Sequence, residues 1–237
     1  MKTLKVLSAL LCYPQPEIQA ALAEMVAALA EENRLPESTH RALQALINQM
    51  RRTDVMDLQE SYIGLFDRGR ALSLHLFEHL HGQSRDRGQA MVDLLETYRR
   101  HGFELSAREL PDYLPLFLEY LAQRPADEAL SLLTDAMPVI ALIGARLAER
   151  GSDYHVVFDA LATLVDEPAS IADIRRQAAT EGPDQTVVNM DQIWEEEAVT
   201  FLANQEGCGV NRPLPGVAQP VQWVPPLDAT RQSARSL

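Results

Sequence analysis

The 237-residue chain is 46% hydrophobic but only 6% aromatic, and carries a formal net charge of −13. It is therefore neither wholly disordered nor suited to a nucleic-acid backbone or an anionic membrane as its main partner. A basic peptide or basic protein surface fits that charge, as does plain solubility. Cys12 and Cys208 lie far apart with no C-x-x-C pair, which excludes a zinc ribbon or thioredoxin-type site and points to a reduced, cytoplasmic protein.

The N-terminal stretch MKTLKVLSALLCYPQP imitates a secretion signal, but its apolar run from Val6 to Leu11 is short and no small-x-small cleavage site precedes Pro14. Leu4, Leu7 and Leu11 fall at helical spacing, so a first core helix ending near Pro14 is expected. Ile18, Leu22, Met25, Val26 and Leu29 mark a second helix, entered through Pro16. A third, capped by Ser38 or Thr39, carries Leu43, Leu46, Ile47 and Met50. Asp54 to Phe66 makes a fourth. After the break at Gly69 the pattern predicts helix over Ala71–Leu80, until Gly82. Ser84 is placed to cap a helix bearing Met91, Leu94, Leu95 and Tyr98, stopped by Gly102. Ser106 and Glu109 read as a capping box before LPDYLPLFLEYLA, with Asp112 able to restart the helix after Pro111.

Ala126 to Arg150 is helical in pattern, with Pro138 expected to break or kink it. Its longest apolar run, Pro138 to Ala145, is too short to span a bilayer. Shorter helices follow over Tyr154–Val165 and Ile171–Ala179, and a last one through Ile193, Trp194, Val199, Phe201 and Leu202. No stretch alternates at period two for long enough to be a strand. Pro213, Pro215, Pro220, Pro225 and Pro226 crowd an aperiodic tail. The expectation is an all-α fold: one compact helical domain of about ten helices over 1–204, and a Pro-rich, disordered tail over 205–237.

Three groups of residues invite a chemical reading. His75, Glu78 and His79 spell H-x-x-E-H, a metalloprotease spacing that would make the chain a metal-dependent hydrolase. On a helical wheel, however, Leu72, Leu76, Phe77 and Leu80 share one arc and the triplet lies away from it. That predicts a solvated polar face, and no third ligand is written nearby. Arg68, Arg70, Arg85 and Arg87 flank the same segment and would suit an anion or client contact, or pair internally with Asp67, Glu78 and Asp86. On the helix after Pro111, Leu114, Phe117, Leu118 and Leu121 form one apolar face. Tyr113, Leu116 and Tyr120 form a second, edged by Asp112 and Glu119. Such a helix is either sandwiched in the core or lines a groove, and an acid-rimmed aromatic groove would accept a basic amphipathic peptide. No G-x-S-x-G and no phosphate-cradling Gly-rich loop is present.

The blocks LFDRGRALSLHLFEHLHGQSRDRGQAMVDLL, RELPDYLPLFLEYLA and IWEEEAVTF resemble the nitrate reductase delta subunit family. These are the molybdenum-cofactor assembly chaperones of respiratory nitrate reductase, within the wider all-helical redox-enzyme maturation chaperones. The likeness runs in order from about Leu4 to Phe201. It implies a cytoplasmic, non-catalytic chaperone that holds no metal or cofactor of its own and does not insert in the membrane. The implied partner is the apo catalytic (alpha) subunit, contacted through its N-terminal peptide and at a second place. The subunit would be kept competent for molybdenum-cofactor and iron–sulfur insertion before membrane docking, and the chaperone is not part of the finished enzyme. By this resemblance Glu109, Pro111, Asp112 and Tyr113 occupy the place of the wider family's E-P-x-D-H-like stretch, with tyrosine where histidine is usual. Asp112, Tyr113, Leu116, Glu119 and Tyr120 are then the expected client-peptide residues. The family usually has an apolar residue in the place of His75, which makes the H-x-x-E-H triplet a local accident.

Overall fold

In a computed structural model of the chain, described over residues 1–81, 85–105, 109–165 and 171–180, the N-terminal helix is a core element. Helix α1 (Lys2–Leu10) buries Leu4, Leu7 and Leu10 completely and Val6 nearly so, with Leu11 just beyond its end. Only Lys2, Lys5 and Ala9 interrupt that burial along its length. The helices that follow are α2 (Pro16–Glu32), α3 (Glu37–Arg52), α4 (Val55–Phe66), α5 (Leu76–His81), α6 (Arg85–Arg100), α7 (Leu114–Ala122), α8 (Ala126–Glu149), α9 (His155–Thr163) and α10 (Ile171–Thr180). Helix α1 packs on α7, α2 and α9; α8 packs on α7, α9 and α10; α3 closes on α2 and α9. Each fully buried leucine of this core contributes on the order of 2 kcal/mol by leaving water. Among the described residues there is no strand, so the all-α expectation holds.

Most helix boundaries follow from their caps. Pro16 opens α2, where its missing N–H costs nothing. Asn33, in the left-handed region at φ +48°, closes it. Asp54 accepts the Met56 N–H at 2.8 Å and starts α4. Gly102, at φ +72°, ends the segment after α6. Helix α1 is capped from a distance: the Glu32 carboxylate accepts the Thr3 hydroxyl at 2.7 Å and the Thr3 N–H at 2.5 Å, placing a negative charge at a helix N-terminus.

Four expectations need correction. Helix α3 begins at Glu37 with Pro36 as N-cap, not at Ser38 or Thr39. Glu109 lies in non-helical backbone, so no helix starts there, and the N-cap of α7 is Tyr113 rather than Asp112. Of the two outcomes expected at Pro138, the break does not occur: helix α8 runs through it without interruption. Pro138 and Thr134 are both exposed, so the Thr134 carbonyl that loses its donor meets water instead of a dry core. Counted as a whole helix, α8 is also long and apolar enough to cross a membrane, with a mean hydropathy of 1.6 over its most apolar window. Here its Leu133, Met137, Ile140, Ile143 and Leu147 fill the helical core.

The fourth correction concerns Ala71–Leu80, which is not one helix. A 3-10 turn covers Arg70–Leu72, an extended stretch follows, and α5 begins only at Leu76. The reason is tertiary. His75 pairs antiparallel with Tyr113, Leu114 N–H donates to Leu74 O at 2.8 Å and Leu76 N–H to Asp112 O at 3.0 Å. The segment before α7 thus supplies the hydrogen bonds a longer α5 would have made internally. All described residues lie in one compact unit, Met1–Asp191. The expected Ser84 and Ser106 caps, the helix through Ile193–Leu202 and the tail 205–237 lie outside the described residues.

Candidate functional site

Helix α7 is buried over most of its length, as α1 is. Leu114, Pro115, Phe117, Leu118, Tyr120 and Leu121 are buried, leaving Tyr113, Leu116, Glu119 and Ala122 half-exposed. These four recur every three residues and form an oblique ridge that winds partly around the helix. Helix α1 lies antiparallel beside it: Lys5 Nζ stands 3.7 Å from Glu119 Oε1, and the Ser8 hydroxyl donates to Pro115 O at 2.6 Å. The accessible residues of α1 on this side are Lys5, Ala9 and Cys12, followed by Tyr13. The ridge and these α1 residues make a seam, with Ala9 as a small residue along it and Glu119 near one end.

The chemistry of the seam is apolar with acidic neighbours. Burial pushes the Cys12 thiol up to about 11, and the Glu119 and Glu109 carboxylates add to it. Burial likewise pushes Tyr113 up to about 12, with Glu109 and Asp67 contributing. Tyr62 donates its hydroxyl proton to Leu11 O at 2.8 Å, so the 3.0 Å contact with Tyr113 has the Tyr113 hydroxyl as donor. Leu110 and Tyr13 are exposed at 44% and 38%. A thiol held protonated and a phenol fixed by a hydrogen bond are inert chemically, and the seam is suited to contact rather than reaction.

The five residues expected on a client face separate. Tyr113, Leu116 and Glu119 lie on the seam. Asp112 and Tyr120 are 0% and 1% exposed and support it from within. Asp112 accepts the Phe77 N–H at 3.0 Å and approaches His75 Nδ1 at 3.3 Å, fixing the start of α5. Tyr120 is covered by Tyr98, at 4.6 Å between ring centroids, and by Phe103, and its hydroxyl meets His101 Nδ1 at 2.7 Å. The second face of α7 is therefore sandwiched at its C-terminal half and open at its N-terminal half.

The H-x-x-E-H triplet does not form a solvated helical face, because His75 precedes α5. The hydrogen bond His75 donates to the Asp112 carboxylate holds it above its ordinary value of 6.5, against the effect of burial. His79 is lowered by burial, and its Nε2–H donates to Ser73 O at 2.8 Å. Burial opposes ionisation of Glu78, but hydrogen bonds from Ser73 and Arg87 outweigh it, the Arg87 contact being 3.1 Å. Each member is thus committed to internal partners: His75 to Asp112, Glu78 to Ser73 and Arg87, His79 to the Ser73 carbonyl. Among the described residues no three His, Cys, Asp or Glu side chains group to hold a metal. Of the arginines, Arg87 pairs with Glu78, while Arg68 and Arg70 are exposed beyond α4 and make no ion pair among the described residues. The Arg85 side chain lies outside the described residues.

Sequence reading missed the α1 side of the seam. The signal was present: Lys5, Ala9 and Cys12 fall at helical spacing on one side, away from Leu4, Leu7 and Leu11.

Comparison with known proteins places the chain. The family model for the nitrate reductase delta subunit matches residues 15–160. The nitrate reductase molybdenum cofactor assembly chaperone NarJ of Escherichia coli (strain K12) is 47% identical over 209 residues, 88% of each chain. The probable nitrate reductase molybdenum cofactor assembly chaperone NarW of the same strain is 40% identical over 90% of each. The probable NarJ chaperone of Bacillus subtilis (strain 168) is 30% identical over 68% of this chain and 89% of its own. With half its length under one family model and these identities across most of the rest, the chain belongs to the nitrate reductase delta subunit family.

Proposed function

We propose that this chain is a cytoplasmic, non-catalytic chaperone for molybdenum cofactor assembly in a nitrate reductase. Its client is the apo catalytic subunit, held through a basic amphipathic N-terminal peptide seated on the seam of Tyr113, Leu116 and Glu119 against Ala9, Cys12 and Tyr13. Asp112 and Tyr120 keep that seam in shape. The observation that carries this reading is the half-exposed ridge at every third residue of an otherwise buried helix, carrying Glu119 and lying near Glu109, in a chain 47% identical to a named assembly chaperone.

A client helix laid in the seam would bury its apolar stripe on Leu116 and the Tyr113 ring while its cations face the carboxylates. Keeping the subunit open for cofactor and iron–sulfur insertion follows from occupying a segment that would otherwise pack. Co-purification from cells expressing the apo catalytic subunit tests it. The subunit is expected to be retained, and nitrate reductase activity is expected to fail when the seam is disrupted. Activity independent of the chaperone would overturn the proposal.

A further inference from the structure

Among the side chains of the seam, Lys5 is the cation, and it already faces the seam's carboxylate. Lys5 Nζ stands 3.7 Å from Glu119 Oε1, and among the described residues no other ion pair joins α1 to α7. Stability does not account for this pair. Lys5 lies one turn from the N-terminus of α1 and Glu119 in the last turn of α7, so each charge opposes the dipole of its own helix. The contact is long and its side chains are 68% and 45% exposed, which leaves little attraction to offset that. The two helices are joined without it: Ser8 donates to Pro115 O at 2.6 Å, and Leu4, Leu7, Leu114 and Leu118 are fully buried.

We infer that Lys5 is an internal competitor for Glu119, which moderates the seam's hold on a cationic client and speeds the client's release. A client cation that reaches Glu119 must displace Lys5 or lie beside it against like-charge repulsion. Either way Lys5 weakens the hold. Tethered to the neighbouring helix, its ammonium stays at high effective concentration and recaptures the carboxylate whenever the client cation lifts away. The pair is weak enough to exchange, and the flexible four-carbon stem of lysine lets the charge swing clear without moving α1. Apolar contact on Leu116 is untouched by the exchange, so Lys5 tunes affinity without abolishing binding. The inference rests on the proposed client of the seam, and adds to it how that client leaves.

The test measures, by stopped flow, dissociation of the catalytic subunit's N-terminal peptide from the full chain and its Lys5→Met, Glu119→Gln and doubly substituted variants. Lys5→Met is expected to slow dissociation about threefold at low salt and less at high salt. It should change nothing in the Glu119→Gln background, or with a peptide whose cations are replaced by glutamine. The thermal midpoint of Lys5→Met should not fall, since the charge it removes opposes the α1 dipole. Unchanged dissociation from Lys5→Met overturns the inference. So does equal slowing in the Glu119→Gln background, which would make Lys5 a general source of repulsion. Faster dissociation also overturns it, by making the lysine stem part of the client's contact. Two further variants separate the levels: if Glu119→Gln and Leu116→Ala weaken peptide binding while Lys5→Met does nothing, only the role of Lys5 fails. If none of the three alters binding, the proposed client seam fails with it.

Discussion

The buried carboxylate of Asp112 and the ring of His75, 3.3 Å apart, join the segment that opens α7 to the segment that opens α5. The same carboxylate accepts the Phe77 N–H at 3.0 Å, and the backbones on either side pair through Leu74, Leu76 and Leu114. Asp112→Ala would leave that N–H without its acceptor in a buried site and release the half-buried imidazole. A loss of about 2–3 kcal/mol in unfolding free energy is expected, measured by urea titration. The seam would lose order with it.

The His75–Asp112 contact also sets a pH dependence. Because the folded state holds His75 above 6.5, its contribution is complete below 6.5 and is lost as pH rises through the raised folded value. Urea titrations of wild type and His75→Gln at acidic and alkaline pH should show a stability gap that narrows on the alkaline side.

Glu32 behaves oppositely. Burial opposes its ionisation, but the bonds from the Thr3 side chain and backbone prevail and hold it below 4.5. Its contribution is therefore present above 4.5 and is lost as pH falls through the depressed folded value. Removing this remote cap of α1 by Glu32→Ala should cost about 1 kcal/mol at neutral pH, reduced by partial solvent screening, and less in acid. Chemical denaturation at both pH values reads the difference.

Close packing of α8 on α9 supplies a sharper mutational test. A Cβ added at Gly144 would lie 2.6 Å from the Phe158 Cβ, a contact between stiff atoms on two core helices. Gly144→Ala should lower stability by about 1–3 kcal/mol despite alanine's higher helix propensity. Calorimetric melting measures it, and Gly88→Ala, where a Cβ meets nothing within 4 Å, is the control and should not destabilise.

These cases show what the sequence makes legible. The leucine spacing of α1 and α2 and the caps at Pro16 and Asp54 are local signals, and they locate their helices closely. The break between Leu72 and Leu76 is not local. It arises because Leu74, His75 and Leu76 meet Asp112, Tyr113 and Leu114 from far along the chain, and no periodicity within Ala71–Leu80 encodes that partner. The same holds for the client face. Tyr113, Leu116 and Tyr120 share a side of α7 by spacing, but only the position of Tyr98 and Phe103 buries Tyr120 and leaves Leu116 open. Asp112 reads as a rim charge in sequence and is a buried clamp in the fold.

Calorimetric titration of the catalytic subunit's N-terminal peptide shows whether the seam receives a basic client peptide. The comparison is wild type against Glu119→Lys and Leu116→Ala, with Tyr120→Phe as a core control. Charge reversal at Glu119 should weaken binding about five- to tenfold at low salt and less at high salt, because a half-exposed pair is screened. Leu116→Ala should weaken it about tenfold at either salt concentration, through lost apolar contact. Tyr120→Phe, which deletes only the hydroxyl bonded to His101, should leave affinity unchanged. Unaltered affinity in both Glu119→Lys and Leu116→Ala, with their thermal transitions intact, would contradict the account and place the client elsewhere.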